Sequence, residues 1–332
     1  MVKSPRVTLY VIRPAGAGPK IQGGEIMSFR LAITSVAALL TAGIPMAGLV
    51  AGTAAAQEDA PEVTPTDLGD GLYMLTTGIA GNLALLTGED GAVMVDDQLP
   101  NTGELIEGAV VELAGASAPR FIVNTHWHGD HVGGNAHFAE QGATIAAHHN
   151  IRSRIDASEA EWAQGPAMLP IITFGQDLTF HMNGQTVEVV HVPSAHTDGD
   201  AFVYFREADV LHMGDVMFSG LFPYIDLSAG GSVDGYIAAM EQALAMVGED
   251  TRIIPGHGPL SGPAELEASI AMVREAAFRV RTLVEGGADL EALRATEPLA
   301  DLHDDWNWGF ISTDRFLQTL YNDAVGNDYS YE

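Results

Sequence analysis

Cysteine is missing from all 332 residues. No disulfide can brace the chain, so in an oxidising compartment its stability has to come from the core. Cations are scarce: 15 Lys and Arg stand against 44 Asp and Glu, a formal net charge of −29. Up to Ala56 the chain holds Lys3, Arg6, Arg13, Lys20 and Arg30 with a single acid, Glu25. The remaining 276 residues therefore carry ten basic groups, all arginine, and 43 acidic ones, a net charge near −33. Such a surface repels phosphate backbones, which argues against nucleic-acid processing, and it suits a soluble protein in a saline medium. No internal repeat is visible, and the length allows a large core in one or two domains.

Residues 1–26 bear Gly and Pro without a pattern and read as an over-long gene start. A fresh start stands at Met27, followed by Arg30, an apolar Ala-rich run from Leu31 to Val50, and Ala54-Ala55-Ala56 before Gln57. That order is a secretory signal peptide over 27–56, with a small-residue cleavage site. Gly43, Pro45, Gly48 and Gly52 interrupt the run, against a membrane anchor. No twin-arginine pair precedes it, so the general secretory route is expected. The mature protein is thus expected in the periplasm or outside the cell, without stable membrane contact. Residues 57–70, acidic and Pro-bearing, read as a loose lead-in, and 71–332 as one domain with a helical C-terminal tail.

The chemistry concentrates in Thr125-His126-Trp127-His128-Gly129-Asp130-His131, directly after the apolar run Phe121-Ile122-Val123. This is a buried strand ending in a loop of ligands. Imidazole and carboxylate together suit zinc and related divalent metals. Alternate residues of an extended segment project to one side, so His126 and His128 can hold one metal. Asp130 and His131 follow Gly129, where the chain is free to turn, and can face a second. Four further apolar strands deliver a polar residue at or past their carboxyl ends: Val93 to Val95 before Asp96 and Asp97, Val187 to Val192 before His196, Val210 to Met213 before Asp215, and Ile253-Ile254 before His257. Open α/β sheets place their sites at such ends.

This ordered set resembles the metallo-β-lactamase superfamily, over roughly Leu72 to Pro259. The resemblance implies an αβ/βα sandwich of two β-sheets with helices outside, and two zinc ions per chain. It implies His126, His128 and His196 as ligands of the first ion and Asp130, His131 and His257 of the second. Asp215 matches the bridging carboxylate of glyoxalase II and related lactonases, and Asp96 an aspartate that supports the metal loop without binding metal. Without cysteine the chain cannot join the β-lactamase subclasses that use a cysteine ligand. His128, where the flavo-diiron branch has Glu, argues against oxygen reduction. The implied activity is attack of a metal-bridging hydroxide on an electrophilic carbonyl of a small molecule, with Asp130 orienting it or shuttling its proton. Glutathione thioesters are cytosolic, so for an exported enzyme a β-lactam or lactone ring is the expected substrate. A thioesterase or esterase of the glyoxalase II type is the alternative, then a mononuclear iron persulfide dioxygenase, then a metal-binding protein without turnover.

Strands are expected over 72–75, 83–86, 92–95, 144–147, 178–182, 186–192, 201–205 and 210–213. Helices are expected over 104–113, from His148 onward, and over 232–247, 263–284, 289–295 and 313–324. The irregular stretch Ala163–Gly175 either walls a pocket or packs on the core. Phe222, Tyr224 and Trp308 are candidate pocket walls. His148 and His149 read as polar residues of a helix start, and His137, His181 and His303 as ordinary.

Overall fold

The computed structural model describes residues 61–327, and the expected gene start and signal peptide lie outside them. The first half runs β1 (Thr64–Asp67), β2 (Leu72–Thr76), β3 (Leu83–Leu86), β4 (Val93–Val95), α1 (Gly103–Ala114), β5 (Phe121–Asn124), α2 (Gly129–Val132), α3 (Asn135–Glu140), β6 (Thr144–His148), α4 (His149–Ala157) and β7 (Ile172–Phe174). Its seven strands form one sheet in chain order, antiparallel to β4 and parallel from there on. The second half runs β8 (Asp177–Met182), β9 (Gln185–His191), β10 (Ala201–Phe205), β11 (Val210–Phe218), α5 (Val233–Met246), β12 (Arg252–His257), α6 (Pro263–Glu285), α7 (Leu290–Thr296), α8 (His303–Trp306) and α9 (Thr313–Val325). Its five strands order as β12-β11-β10-β9-β8, with β11 and β12 parallel.

The apolar pattern dictates the layering. Every residue of β10 and β11 is buried, as expected of strands covered on both faces. β8, at the sheet edge, exposes alternate residues. Leu72, Met74, Val93 and Val123 of the first sheet meet Val187, Val203, Phe205 and Ile254 of the second in a central core. Ile106, Val110 and Phe138 cover the first sheet from outside, and Tyr236, Met240, Val273 and Phe316 cover the second. The result is two sheets face to face with helices on both outer sides, the αβ/βα sandwich expected. Among the described residues no helix is long and apolar enough to cross a membrane.

Two expectations are corrected, and the alternative left open for 163–175 is decided. The lead-in is not loose throughout: Thr64–Asp67 pairs with β2 as an edge strand. Its four residues are all exposed, so no apolar alternation announces it. Segment 163–175 contributes β7, and Ala163 and Met168 pack with Val132 and Ile151; none of its residues lines the main cavity. Phe222 is no pocket wall. It is fully buried and stacks on Phe316 with ring centroids 4.8 Å apart.

Phe222→Ala is therefore expected to act on stability, costing about 3–5 kcal/mol in denaturant unfolding as other large-to-small core substitutions do. A loss below about 1 kcal/mol would return Phe222 to the surface.

Candidate active site

Five strand ends meet along one edge of the sandwich. β5 delivers His126, His128 and, through α2, Asp130 and His131; β9 leads to His196, β11 carries Asp215, β12 ends on His257, and β4 leads to Asp96. β11 does not stop before Asp215, as its sequence suggests. It continues to Phe218, and its pairing with β12 shifts register at His212/Gly214 and again before Phe218. Such a break re-aims a side chain. Gly214 makes the turn with φ at +52°, and a Cβ there would meet Thr125 Oγ1 at 2.7 Å.

Two groups of ligand atoms converge, His126, His128, His196 and Asp215 in one, Asp130, His131 and His257 in the other, each spanning no more than 4.8 Å. Asp215 stands between them. Its Oδ2 lies 3.7 Å from His126 Nε2 and 3.6 Å from His196 Nε2; its Oδ1 lies 3.0 Å from His131 Nε2 and 3.5 Å from His257 Nε2.

Hydrogen-bond partners fix the tautomers. Thr125 Oγ1 donates to Asp96 Oδ2 at 2.7 Å, so it accepts from His126 Nδ1 at 3.0 Å. His131 Nδ1 donates to the same Asp96 oxygen at 2.8 Å. His196 Nδ1 donates to the Tyr224 carbonyl at 2.7 Å, and His128 Nε2 donates to Asp226 Oδ2 at 3.0 Å. His126, His128 and His196 are thereby held with the other nitrogen bare, while His131 turns its Nε2 to Asp215 Oδ1. His126 Nε2 is buried without any partner, and the bare nitrogens of His128 and His196 face each other at 2.8 Å. Lone pairs so placed need a cation or a proton between them, and the donor set of imidazoles and carboxylates fits divalent metal.

The electrostatics agree. Burial drives His126 well below the ordinary histidine range and His196 down to about 4, leaving both neutral, as ligands must be. Burial opposes charge on His131 and His257 too, but Asp215 and Asp130 overcome it, raising His131 well above the ordinary range and His257 to about 9. In the metal-free protein these two hold protons that a metal must displace. Burial likewise works against the Asp130 carboxylate, but His131 and His257 hold it at about 2, so it is ionised at neutral pH.

Several other polar residues brace this edge. Asn82 donates to the carbonyls of Pro255 and Gly258, both at 2.9 Å, and accepts from His212 Nε2 at 3.2 Å, tying the β2–β3 hairpin to β12 across the two sheets. A Cβ on Gly81 would overlap the His131 ring, so only glycine passes beneath it. His148 caps α4 and stacks on His191 at 3.7 Å, apart from the ligands; His137 bonds Glu107 and His303 bonds Thr313.

A cavity of about 850 Å³ opens over the ligands. Tyr224 and Trp308 line it, as read from the sequence, and so do Ile79, Trp127, Leu221 and Phe310. Trp308 is pinned by its indole N–H to the Phe222 carbonyl at 2.9 Å. Sequence reasoning missed Asp226. It follows no strand and belongs to no spaced motif, yet it is buried and holds His128. Burial would raise its pKa, but His128 and Ser228 keep it at about 2.

Outer partners of ligating histidines commonly carry 10–100-fold in metal affinity. Asp226→Asn, which weakens the carboxylate's hold on His128 Nε2, is expected to loosen the first metal by about tenfold or more in chelator competition. Unchanged affinity would show that His128 is fixed by packing alone.

Comparison with known proteins agrees with this geometry. A family model for the metallo-beta-lactamase superfamily matches residues 76–257, more than half of the chain. Hydroxyacylglutathione hydrolase of Pelagibacter ubique is 30% identical over 142 residues, 42% of this chain and 51% of that enzyme, so the chain spans about half the relative's length. The alpha subunit of 2,4-dinitroanisole O-demethylase of a Nocardioides species is 23% identical over 73% of this chain and 72% of its own. Among solved structures, the DIM-1 metallo-beta-lactamase superposes with a TM-score of 0.56 at 20% identity, covering 65% of this chain and 99% of its own. That likeness speaks for the fold, and the family match, together with a site built at the strand ends the family uses, makes this chain a member of the metallo-beta-lactamase superfamily.

Proposed function

We propose that the protein is an exported binuclear zinc hydrolase that opens a lactone or β-lactam ring. The observation that carries this reading is Asp215, whose two carboxylate oxygens face separate, complete ligand groups. His126, His128 and His196 would hold one ion and Asp130, His131 and His257 the second. Two such ions, when bound, polarise a carbonyl and acidify a water so that hydroxide is available at neutral pH.

The chain's own residues do the rest. Asp130 borders the cavity with its side chain 30% exposed, and its ionised carboxylate is placed to orient water or take up a proton at Oδ2. Phe218 stacks on the His257 ring at 5.0 Å and Trp308 lies 5.9 Å from it, so this flank of the site is shielded from water. The histidines that line the cavity, His128 and His257, both belong to ligand groups, which leaves no free imidazole there as general base.

A glyoxalase II type thioesterase is the second reading, favoured by the hydroxyacylglutathione hydrolase relative. Completeness of both ligand groups speaks against a mononuclear iron dioxygenase, which would leave one idle.

Zinc-loaded protein is expected to hold about two ions per chain and to hydrolyse a homoserine lactone or nitrocefin faster than a thioester. His196→Ala should remove nearly all turnover while the protein still unfolds cooperatively. One equivalent of iron and no zinc would sink the hydrolase reading; cleavage of the thioester alone would install the second one. Export is tested separately. N-terminal sequencing of the exported protein should begin at Gln57, and an intact 28–56 segment on a membrane-bound protein would refute cleavage.

A further inference from the structure

The hydrolase reading leaves the flank of the substrate open, and the cavity walls speak to it. Aromatic rings run unbroken from one ligand group to the other. Centroids lie 5.9 Å apart for His257 and Trp308, 5.6 Å for Trp308 and Phe310, 5.8 Å for Phe310 and Tyr224, and 5.6 Å for Tyr224 and His128. Ile79, Trp127 and Leu221 add further apolar lining. The mouth is apolar as well. Ile79 is 51% exposed and Phe310 48%.

Away from the ligand histidines, the charged side chains along this cavity are of one sign. Asp130, Asp215 and Asp226 line it, and no arginine or lysine does among the described residues. Two arginines come near and are engaged elsewhere. Arg315 lies 5.0 Å from the Phe310 ring and donates to the Phe310 carbonyl. Arg154 forms a bidentate pair with Asp198 beside a separate hollow. A carboxylate on the part of the substrate lying along this wall would lose its hydration and gain no cationic partner. An aromatic or branched apolar group would instead bury its surface on rings already held in place by the Trp308 indole bond.

We propose that this enzyme selects carbonyl substrates whose flank beyond the scissile group is uncharged and apolar, aromatic above all, and discriminates against those bearing a carboxylate there. The proposal rests on the hydrolase reading of the same site and narrows it: neutral lactones and esters fall in the favoured class, carboxylate-bearing β-lactams and glutathione thioesters outside it, so of the two ring-opening probes the homoserine lactone is expected well ahead of nitrocefin. Trp308 and Phe310 lie beyond residues 76–257, so part of this wall comes from outside the family match.

The test uses a matched pair, 4-acetoxyphenylacetic acid and its primary amide, with the zinc-loaded full chain. The two differ by carboxylate against isosteric carboxamide, and a methylene insulates the ester from the change. The amide is expected to show a kcat/KM about tenfold or more above that of the acid at low salt, with the gap narrowing as salt screens the field. Phe310→Ala, at a half-exposed position and checked for an unchanged unfolding transition, should lower kcat/KM for the amide, chiefly through KM. Ile79→Arg, at the exposed rim, should raise kcat/KM for the acid and shrink the ratio. Equal rates for acid and amide, or a ratio that Ile79→Arg leaves untouched, would overturn the selectivity while sparing the hydrolase reading. No turnover of either ester with two zinc ions bound would overturn both.

Discussion

Bare ring nitrogens pointing at one another inside a protein are the constraint on which this structure turns. His126, His128, His131 and His196 each give up one nitrogen to a fixed partner and expose the other to the site. Left empty, the arrangement is costly, because buried lone pairs and carboxylates repel without solvent to screen them. Asp215 and Asp130 favour protons on His131 and His257 against the cost of burial. Divalent ions answer better, since each takes several lone pairs at once. The second row of residues follows from that need. Asp96 is its centre, accepting from the Thr125 backbone and hydroxyl and from His131, and so orienting ligands of both groups with one carboxylate.

Holding those groups together requires the two sheets to keep their relation at the ligand edge. Asn82 does this through three contacts that join the first sheet's hairpin to His212 of β11 and to Pro255 and Gly258 at the end of β12. The Gln98 side chain adds a bond to the Gly81 carbonyl below the His131 ring. Farther out, the chain spends its few cations on its helical tail. Arg281 joins Asp234 of α5 to Asp323 of α9, Arg294 of α7 pairs with Asp314 of α9, and Arg279 of α6 with Asp301. Exposed pairs of this kind contribute little each, roughly 0–1 kcal/mol, but they fix the orientation of the segment that carries Trp308 and Phe310.

How much of this was legible in the sequence depends on how local each signal is. The ligand residues follow apolar strands, so period, burial and chemistry coincide within a few residues, and each candidate could be named. The sandwich followed from strand runs alternating with helical ones. Asp226 had no such signal: its partner lies 98 residues earlier, and only folding brings the two together. Phe222 and Tyr224 looked alike for the same reason. Their loop has no periodicity, and what separates them is the stacking of Phe222 on Phe316, a contact across 94 residues. β1 escaped because its residues are all exposed and its pairing comes from backbone bonds that favour no side-chain type.

The division of labour along the chain follows from the same physics. Metal binding needs many ligands within a few ångströms, so its residues must come from strand ends of a rigid sandwich, and all seven lie within 76–257. A wall tolerates more variation, since apolar contact is non-directional and asks only for shape and the absence of charge. That task falls to the tail. Phe222, buried in the loop after β11, anchors it: its backbone carbonyl receives the Trp308 indole while its N–H bonds the Trp306 carbonyl. The loop after Asp215 thereby carries the wall on the same strand that places the metal ligand. Movement of the tail against the ligands would have to break these bonds and unstack Phe222 from Phe316, which ties the breadth of the cavity to the rigidity of the core beneath it.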